Sequence, residues 1–249
     1  MYFVVSDPHG CLRELKILLR QWDPKKETLI FLGDAIDRGI DSLGVIQYLM
    51  ELEEKYGEKV IVMRGNHDAE FLAWLGSGEM AGIFYSTSQE ETIKSFYVNR
   101  DMTRDTRQQR AEYILRNYRK EIRFMKSMRL FYETEHVLFV HAGIDFTIPD
   151  WRKAGEGTFL WIRNAFFESE GTIDKRILFG HTPTKYLNDD RSNKVWVNYM
   201  GDKIGIDGGC VFGGQLNGIA LNEKGDIRAA YAVPFGSEQV IYYAKGEIE

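Results

Sequence analysis

The chain has 249 residues, of which 44% are hydrophobic and 13% aromatic, so it can bury the core of one large or two small domains. Its net charge of −5 argues against general binding to nucleic acid or to a membrane surface. Two cysteines, Cys11 and Cys210, are too few for a disulfide framework or a thiolate zinc site. The chain opens without a signal-peptide pattern, and no window approaches the roughly 18 apolar residues of a membrane span. We therefore expect a protein of the reducing cytoplasm.

The N-terminal part of the chain repeats a short apolar run, a turn rich in Gly and Asp, and an amphipathic helix. The predicted strands are 2–5, 28–32 and 59–63. Apolar residues at helical spacing follow the first two strands, and Gly57 is a candidate C-terminal cap of the second helix. Crossovers of this length predict a parallel sheet covered by helices.

The middle of the chain, from about 76 to 128, lacks convincing strands and is predicted to be helical. Residues 99–129 contain ten Lys and Arg against four Asp and Glu, a local charge of +6, which leaves −11 for the rest. Further strands are predicted at 130–134, 137–140, 176–179, 195–198, 204–207, 218–222, 228–233 and 240–244. We interpret the chain as one domain, 1–249, with a basic helical insert that either presents a solvated face or caps a site for polyanionic substrates.

Four of the five histidines follow predicted strands, beside Gly, Asp or Asn. The segments are Ser6–Gly10, Gly33–Gly39, Gly65–Asp68, His141–Gly143 and Gly180–Thr182. Because ligands bind at the carboxyl ends of strands in an open α/β sheet, these segments are expected to converge on one site. Mixed imidazole and oxygen ligands suit Mn, Fe or Zn. His136 has no such context and is expected at the surface or in a turn.

In this order the segments resemble the motifs D-x-H, G-D-x-x-D-R-G, G-N-H-[E/D], an isolated His and a late G-H of the calcineurin-like metallophosphoesterases. The intact Gly33–Gly39 motif resembles most the phosphoprotein phosphatase branch and its small bacterial and phage members. A glycine-rich segment at 206–214 is similar to one in those proteins and in symmetrical diadenosine tetraphosphate hydrolases. The resemblance runs from residue 3 to about 222. It implies a four-layer α/β (α+β) fold, a β-sandwich of two mixed sheets flanked by helices, with a helical insert.

The resemblance also implies a centre of two divalent metal ions. Its ligands would be Asp7 and His9 for the first ion, Asp34 as a bridge, and Asn66, His141 and His181 for the second. Manganese is the expected metal, and iron and zinc are compatible with these ligands. A shared carboxylate offsets the repulsion between two dications, and the pair would give a bridging hydroxide for in-line attack on phosphorus.

The remaining roles concern the phosphate and the leaving group. Arg38 is suited to grip phosphate oxygens, and Arg163, in a Trp-x-Arg pattern, is a candidate for a second phosphate-binding arginine. The resemblance makes His67 the general acid, with Asp37 holding its imidazole in the cationic form. Asp207 is a candidate to orient a metal ligand.

Two substrate classes stay open from the sequence. The leading hypothesis is a phosphatase for phosphoserine or phosphothreonine in proteins, with phosphotyrosine a further option. The alternative is hydrolysis of dinucleoside tetraphosphates or related nucleotide phosphoanhydrides. Asp68 replaces the Glu that protein phosphatases of this branch usually carry, which favours the dinucleotide, whereas the full Gly33–Gly39 motif favours the phosphoprotein.

A nuclease is disfavoured, because Asp37 and Arg38 suit a terminal phosphate. A catalytically dead binding module is also disfavoured, because all six ligands and His67 are present. Stable binding to nucleic acid is not expected.

Overall fold

The computed structural model describes residues 1–77, 87–98, 100–244 and 247. The predictions that 78–86 and Asn99 belong to a helical, basic insert lie outside the described residues. The helices are α1 (Leu12–Leu18), α2 (Ser42–Tyr56), α3 (Asn66–Ser77), α4 (Thr87–Ser95), α5 (Arg107–Asn117), α6 (Arg119–Ser127), α7 (Glu156–Trp161) and α8 (Asn164–Phe167). The strands are β1 (Tyr2–Val5), β2 (Thr28–Phe31), β3 (Val60–Val62), β4 (Phe131–Glu133), β5 (Val137–Val140), β6 (Arg176–Phe179), β7 (Trp196–Val197), β8 (Lys203–Gly205), β9 (Gln215–Leu221), β10 (Ile227–Pro234) and β11 (Ile241–Tyr243).

The strands form two mixed sheets. The first has the order β11-β10-β9-β1-β2-β3, and the second has the order β4-β5-β6-β8-β7. Strands β1, β2 and β3 run parallel in the first sheet, and β5, β6 and β8 run parallel in the second. The antiparallel strands lie toward the edges of each sheet or join β1 to the C-terminal hairpin. The predicted parallel sheet is therefore only the N-terminal half of a larger mixed sheet.

Alternation of side chains along the strands builds three apolar layers. In β1, Phe3 and Val5 face the helices α1 and α2, whereas Val4 faces the second sheet. In β5, Phe139 points inward to meet Val4 and its neighbours, and Leu138 points outward. The outer face of the second sheet is covered by the segment that contains α7 and α8. The two sheets thus stack between helical layers as a four-layer sandwich, as expected.

The helices α4–α6 of the predicted insert join the same apolar cluster as the first sheet. Phe96 and Ile93 of the α4 region, Ile114 of α5 and Met125 of α6 are buried together with residues of α2 and α3. Helix α4 packs on α2, while α5 packs on α3 and α6 packs on both. The insert is therefore packed on the outer side of the first sheet. This position determines which side chains of the insert can reach the carboxyl ends of the strands.

The strand predictions are close to the observed bounds, with shifts at the ends. The predicted strand 218–222 starts earlier, at Gln215, and 204–207 starts earlier and ends at Gly205. The second half also contains α7 and α8, which the sequence interpretation of short strands and turns missed. Within the residues that the structure describes, no helix is long and apolar enough to cross a membrane.

Candidate metal centre and phosphate site

The predicted metal ligands lie shortly after the carboxyl ends of five strands. Asp7 follows β1, Asp34 follows β2, and Asn66 opens α3 after β3 in the first sheet. In the second sheet His141 follows β5, and His181 follows β6. Because these strands are parallel within each sheet and the sheets are stacked, all of the ends meet at one edge of the sandwich. The sandwich therefore holds ligands from both halves of the chain at one place.

The backbone of the site adopts conformations that side chains rarely take. Six residues of the predicted site have positive φ: Asp7, His9, Asp34, Asp37, Arg38 and His181. Such strain clusters at functional sites because the surrounding structure holds it in place. Glycine is required at two positions next to these residues. A Cβ at Gly65 would overlap the Asp34 carboxylate, and a Cβ at Gly180 would overlap the Asp7 carboxylate. These loops are thus shaped to bring carboxylates close to backbone.

Two imidazoles are oriented by backbone carbonyls. Nδ1 of His9 lies 2.7 Å from the carbonyl oxygen of Ile36, and Nδ1 of His141 lies 3.0 Å from that of Leu32. Each Nδ1–H donates to its carbonyl, which leaves the lone pair of Nε2 facing the site. This tautomer is the one that a metal ligand requires.

The Asp34 carboxylate lies between these imidazoles. Its Oδ2 is 3.5 Å from Nε2 of His9 and 3.6 Å from Nε2 of His141. Ligand atoms of His9, Asp34 and His67 lie within 4.8 Å of one another, and so do those of Asp34, His141 and His181. Asp34 is common to both groups, which is the placement expected of a bridging ligand.

Asp7 and Asn66 lie at the edges of this arrangement. Both carboxylate oxygens of Asp7 accept from the backbone N–H of His181 at 3.1 Å, and Ser6 donates its hydroxyl to Asp7. Asp7 belongs to neither group of mutually close ligand atoms, whereas His67, the expected acid, belongs to one. Oδ1 of Asn66 lies 3.0 Å from Nε2 of His141. Five of the six predicted ligands therefore come together, whereas Asp7 lies beside His181 with its carboxylate held by protein hydrogen bonds.

The chemistry of these groups fits divalent cations. Burial, followed by repulsion from neighbouring carboxylates, raises the pKa of Asp7 and Asp34 well above the usual range of Asp. Burial lowers the pKa of His9 and His181 and lowers that of His141 to about 3, so these imidazoles are neutral. Neutral His141 then turns its Nε2 lone pair toward the Asn66 oxygen, and the buried Nε2 of His181 has no hydrogen-bond partner among the described residues. A cation satisfies such a cluster of acceptors, because it favours ionised carboxylates and neutral imidazoles.

His67, Asp37 and Arg38, predicted to act as general acid, its holder and phosphate ligand, are in contact with one another. Nδ1 of His67 lies 2.7 Å from Oδ2 of Asp37, which is fully buried. Nη2 of Arg38 lies 3.2 Å from Nε2 of His67, and the Phe212 ring centroid lies 4.8 Å from the Arg38 guanidinium carbon. With Nδ1–H donated to Asp37, Nε2 accepts from Arg38 and carries no proton in this arrangement. The cationic form expected from the sequence requires Arg38 to turn away.

The site opens into a cavity of about 610 Å³. Arg163 lines it and is fixed by hydrogen bonds from Nη1 to the His181 carbonyl at 3.2 Å and to the Thr182 hydroxyl at 3.0 Å. Asp207 also lines it, and burial raises the pKa of its carboxyl to about 6. Asp207 accepts from the backbone N–H of Gly209 rather than from a metal-ligand side chain. Both arginines predicted from the sequence therefore face the same space.

Asp68 holds together two of the loops that carry site residues. Its fully buried carboxylate accepts backbone N–H groups of Asp34, Ala35 and Gly65 at 2.8–3.2 Å. It therefore pins the loop after β2 to the loop after β3. Asp68 is not among the residues that line the cavity. Asp68 therefore has a structural role in these loops, and the substrate preference that the sequence attached to it stays a prediction.

Several cavity residues were missed by the sequence analysis. They are Glu70, Trp161, Pro183, Lys185, Tyr186 and Phe212. Trp161 lies in the Trp-x-Arg pattern and Phe212 in the glycine-rich segment 206–214, but neither was predicted to line the site. Tyr186 is 63% exposed and Phe212 54% exposed, so they form an aromatic rim. The signal available in the sequence was an aromatic residue close to proline or glycine, as with Tyr186 after Pro183 and Phe212 before Gly213. Among the described residues, none from 100–129 lines the cavity, which favours the solvated-face interpretation of that basic segment over the cap. His136 is half exposed beside Glu135, as expected.

Known proteins match most of this chain. It is 30% identical over 226 residues to serine/threonine-protein phosphatase 1 of Salmonella typhimurium, covering 86% of this chain and 88% of the relative. It is 24% identical over 263 residues to the asymmetrical bis(5'-nucleosyl)-tetraphosphatase PrpE of Anoxybacillus flavithermus, covering 96% and 98%. A symmetrical bis(5'-nucleosyl)-tetraphosphatase of Pectobacterium atrosepticum is 44% identical, but only over 73 residues, 28% of this chain and 25% of that one.

Solved structures share the fold. The cold-active protein-tyrosine phosphatase of a psychrophilic Shewanella species aligns with a TM-score of 0.56 at 16% identity, covering 97% of this chain and 79% of that one. A protein serine/threonine phosphatase of Saccharomyces cerevisiae aligns with a TM-score of 0.55 at 16% identity, covering 97% and 78%. The family model for calcineurin-like phosphoesterases matches residues 2–218. Since that match spans most of the chain and includes every strand end of the site, the protein belongs to the calcineurin-like phosphoesterase family and is a metallophosphoesterase, a hydrolase of phosphoesters.

Proposed function

We propose that this phosphoesterase removes terminal phosphate from phosphoserine or phosphothreonine in proteins, with phosphotyrosine also accommodated. The observation that carries the proposal is the pairing of Arg38 with the His67–Asp37 dyad inside an open cavity. A guanidinium beside a proton donor suits a phosphate monoester, which needs both charge neutralisation and protonation of its leaving oxygen. The Salmonella relative, matched over 86% of this chain, supports the same class.

Two divalent metal ions would be held by the ligands predicted from the sequence. Asp7 and His9 would take one ion, Asn66, His141 and His181 the other, and Asp34 would serve both. When bound, such a pair activates water for attack on phosphorus and neutralises the charge of the phosphate. Manganese is our expected metal, with iron and zinc compatible with the same imidazole and oxygen donors.

The chain's own groups would then do the rest. Arg38 and Arg163 bind phosphate oxygens from two sides of the cavity, since both line it and both present guanidinium groups. Once Arg38 engages the phosphate, Nε2 of His67 is released from it, takes up a proton from water in the open cavity, and passes that proton to the leaving oxygen. Asp37 holds the ring through Nδ1 throughout. Burial of Asp37 excludes water from that hydrogen bond.

A second candidate function is hydrolysis of dinucleoside tetraphosphates or related phosphoanhydrides. A second cavity, of about 820 Å³, adjoins the first, and Arg38 lines both. Arg13, Lys16, Arg20 and the half-exposed Phe235 line this second cavity. It could receive the far phosphates and a base of an elongated substrate, because it combines basic groups with an aromatic face. The PrpE relative, matched over 96% of this chain, supports this candidate.

The proposal is tested by product analysis with manganese present. Phosphate released from phosphopeptides at a higher kcat/KM than nucleotides from diadenosine tetraphosphate supports the phosphoprotein substrate. The reverse preference supports the second candidate and rejects the first. 4-Nitrophenyl phosphate, assayed with and without chelator, reports catalytic competence independently of either natural substrate. A cytoplasmic setting is likewise proposed, supported by Cys11 and Cys210 being free and buried.

A further inference from the structure

The fully buried side chain of Thr92 contacts the carboxylate that holds the proposed acid. Its Oγ1 lies 2.6 Å from Oδ1 of Asp37, while Oδ2 of the same carboxylate lies 2.7 Å from Nδ1 of His67. Thr92 is on helix α4, 55 residues from Asp37 in sequence. A residue of the predicted insert is therefore one hydrogen bond away from the His67–Asp37 dyad.

The directions of these hydrogen bonds follow from the groups involved. A carboxylate only accepts, so Thr92 donates its hydroxyl proton to Asp37. The Thr92 oxygen then accepts from the backbone N–H of Asp37 at 2.9 Å and from the hydroxyl of Ser42 at 3.0 Å. Asp37 N–H is also 3.1 Å from Ser42 Oγ. Every polar atom of this buried network has a partner, so its geometry is fixed.

The same hydroxyl stabilises an unfavourable backbone. Asp37 has a φ of +72°, which side-chain-bearing residues rarely adopt. The Thr92 hydroxyl forms hydrogen bonds with both the backbone N–H and the carboxylate of Asp37. It therefore fixes the backbone conformation of Asp37 as well as the rotation of its carboxylate. Because Oδ1 is held by Thr92, Oδ2 stays directed at His67.

Helix α4 is itself held firmly. Phe96 is fully buried and stacks on Phe71 of α3 with ring centroids 5.5 Å apart. Ser95 donates to the Thr92 carbonyl and accepts from the backbone N–H of Leu43 at the start of α2. The hydroxyl of Thr92 is therefore presented from a packed element and not from a mobile loop.

We propose that Thr92 is a positioning residue for the reaction: acting through Asp37, it sets the orientation of His67 for protonation of the leaving group. This inference rests on the proposed role of His67. It gives the insert a task in catalysis that differs from the cap considered for its basic residues. The effect is expected in kcat, because Thr92 contacts neither the cavity nor the phosphate-binding arginines.

The test compares Thr92→Val, which keeps the shape and removes the hydroxyl, with Thr92→Ser, which restores it. Two substrates are used: phenyl phosphate, whose leaving group needs a proton, and 4-nitrophenyl phosphate, whose leaving group does not. We expect Thr92→Val to lower kcat for phenyl phosphate about tenfold and to leave kcat for 4-nitrophenyl phosphate within about twofold, with KM unchanged. Thr92→Ser should recover most of the loss.

The control is Ser95→Ala, one turn along α4, which removes a hydroxyl that anchors the helix but does not contact Asp37. It should show no dependence on the leaving group. His67→Asn is assayed alongside, because its own failure to show that dependence would refute the acid role rather than the role of Thr92. If His67→Asn shows the dependence and Thr92→Val does not, or if serine fails to rescue, the inference is wrong.

A second readout does not require turnover. The Nδ1–H proton of His67, assigned in the NMR spectrum by its loss in His67→Asn, should resonate far downfield because it is donated to a buried carboxylate. Thr92→Val should move it upfield, and Thr92→Ser should return it. An unchanged resonance in a folded Thr92→Val protein overturns the inference. If Thr92→Val does not fold, the Thr92→Ser spectrum and kinetics decide: both must remain near those of the unsubstituted protein.

Discussion

Nη2 of Arg38 lies 3.2 Å from Nε2 of His67, so the arginine occupies the nitrogen that would deliver the proton in the proposed reaction. Since Nδ1 of His67 is held by Asp37, the ring cannot offer a proton from Nε2 until Arg38 moves. An incoming phosphate would draw the Arg38 side chain away from His67, because a guanidinium binds an anion more strongly than a neutral imidazole. In the proposed reaction, phosphate binding and the availability of the acid would thereby be linked through the Arg38 side chain.

Arg38→Ala is expected to lower kcat/KM for 4-nitrophenyl phosphate by about 100-fold, because it removes charge-assisted hydrogen bonds to the phosphate. Arg38→Lys should recover only a small part, since a lysine cannot form the two-pronged contact of a guanidinium. Steady-state kinetics with manganese present measure both. Full activity in Arg38→Lys would show that a point charge is enough and would contradict the proposed geometry.

The Phe212 ring, 4.8 Å from the Arg38 guanidinium, is expected to hold that side chain over the cavity. Phe212→Ala should raise KM for aryl phosphates several-fold, with a smaller effect on kcat. Tyr199→Ala is the matched control, because Tyr199 is a fully exposed aromatic residue outside the cavity lining. Equal KM values for the two variants would show that the Phe212 contact is unimportant.

Asp68→Asn is expected to destabilise the protein by about 1–3 kcal/mol, because the amide turns an N–H toward backbone donors in a fully buried site. Thermal unfolding of the chelated protein measures this without interference from metal binding. Asp190→Asn serves as control, since Asp190 caps an exposed turn at Ser192. A Tm for Asp68→Asn that equals the control's would mean that the two loops are not held together by this carboxylate.

The second cavity can be tested through Lys16 and Arg20, which line it but not the first cavity. If an elongated polyphosphate extends into it, the double alanine variant should lose about tenfold more kcat/KM on diadenosine tetraphosphate than on 4-nitrophenyl phosphate. The double variant of Lys224 and Arg228, which lie outside the linings of both cavities, is the charge-matched control. Parallel losses on both substrates would remove the structural support for the dinucleotide candidate.

The site was predictable because its residues are local to strand ends. Asp34, Asn66 and His141 each follow an apolar run, and the rules of α/β sheets bring such ends together. The residue types then indicated metal and phosphate chemistry. The four-layer arrangement could be expected only from the family resemblance, because alternation along β1 gives two buried faces without saying what covers each one.

The parts that could not be predicted depend on tertiary contacts. Nothing in the sequence around Thr92 indicates that its hydroxyl reaches Asp37, because the two are joined only after α4 packs on α2. Asp68 sits beside a motif and was interpreted as a sign of the substrate, yet its carboxylate is used up by backbone N–H groups. The positive charge of segment 99–129 suggested a cap over a site for polyanionic substrates, whereas the described residues of this segment do not line the cavity.

The proposed reaction requires two divalent ions that share Asp34. The most direct measurement is titration of manganese into the chelated protein, with bound metal and 4-nitrophenyl phosphate hydrolysis determined at each step. We expect activity to be absent without metal and to reach its maximum as two ions bind, and we expect Asp34→Asn to bind fewer ions and stay inactive. Activity that survives complete removal of metal, or full activity in Asp34→Asn, would contradict it.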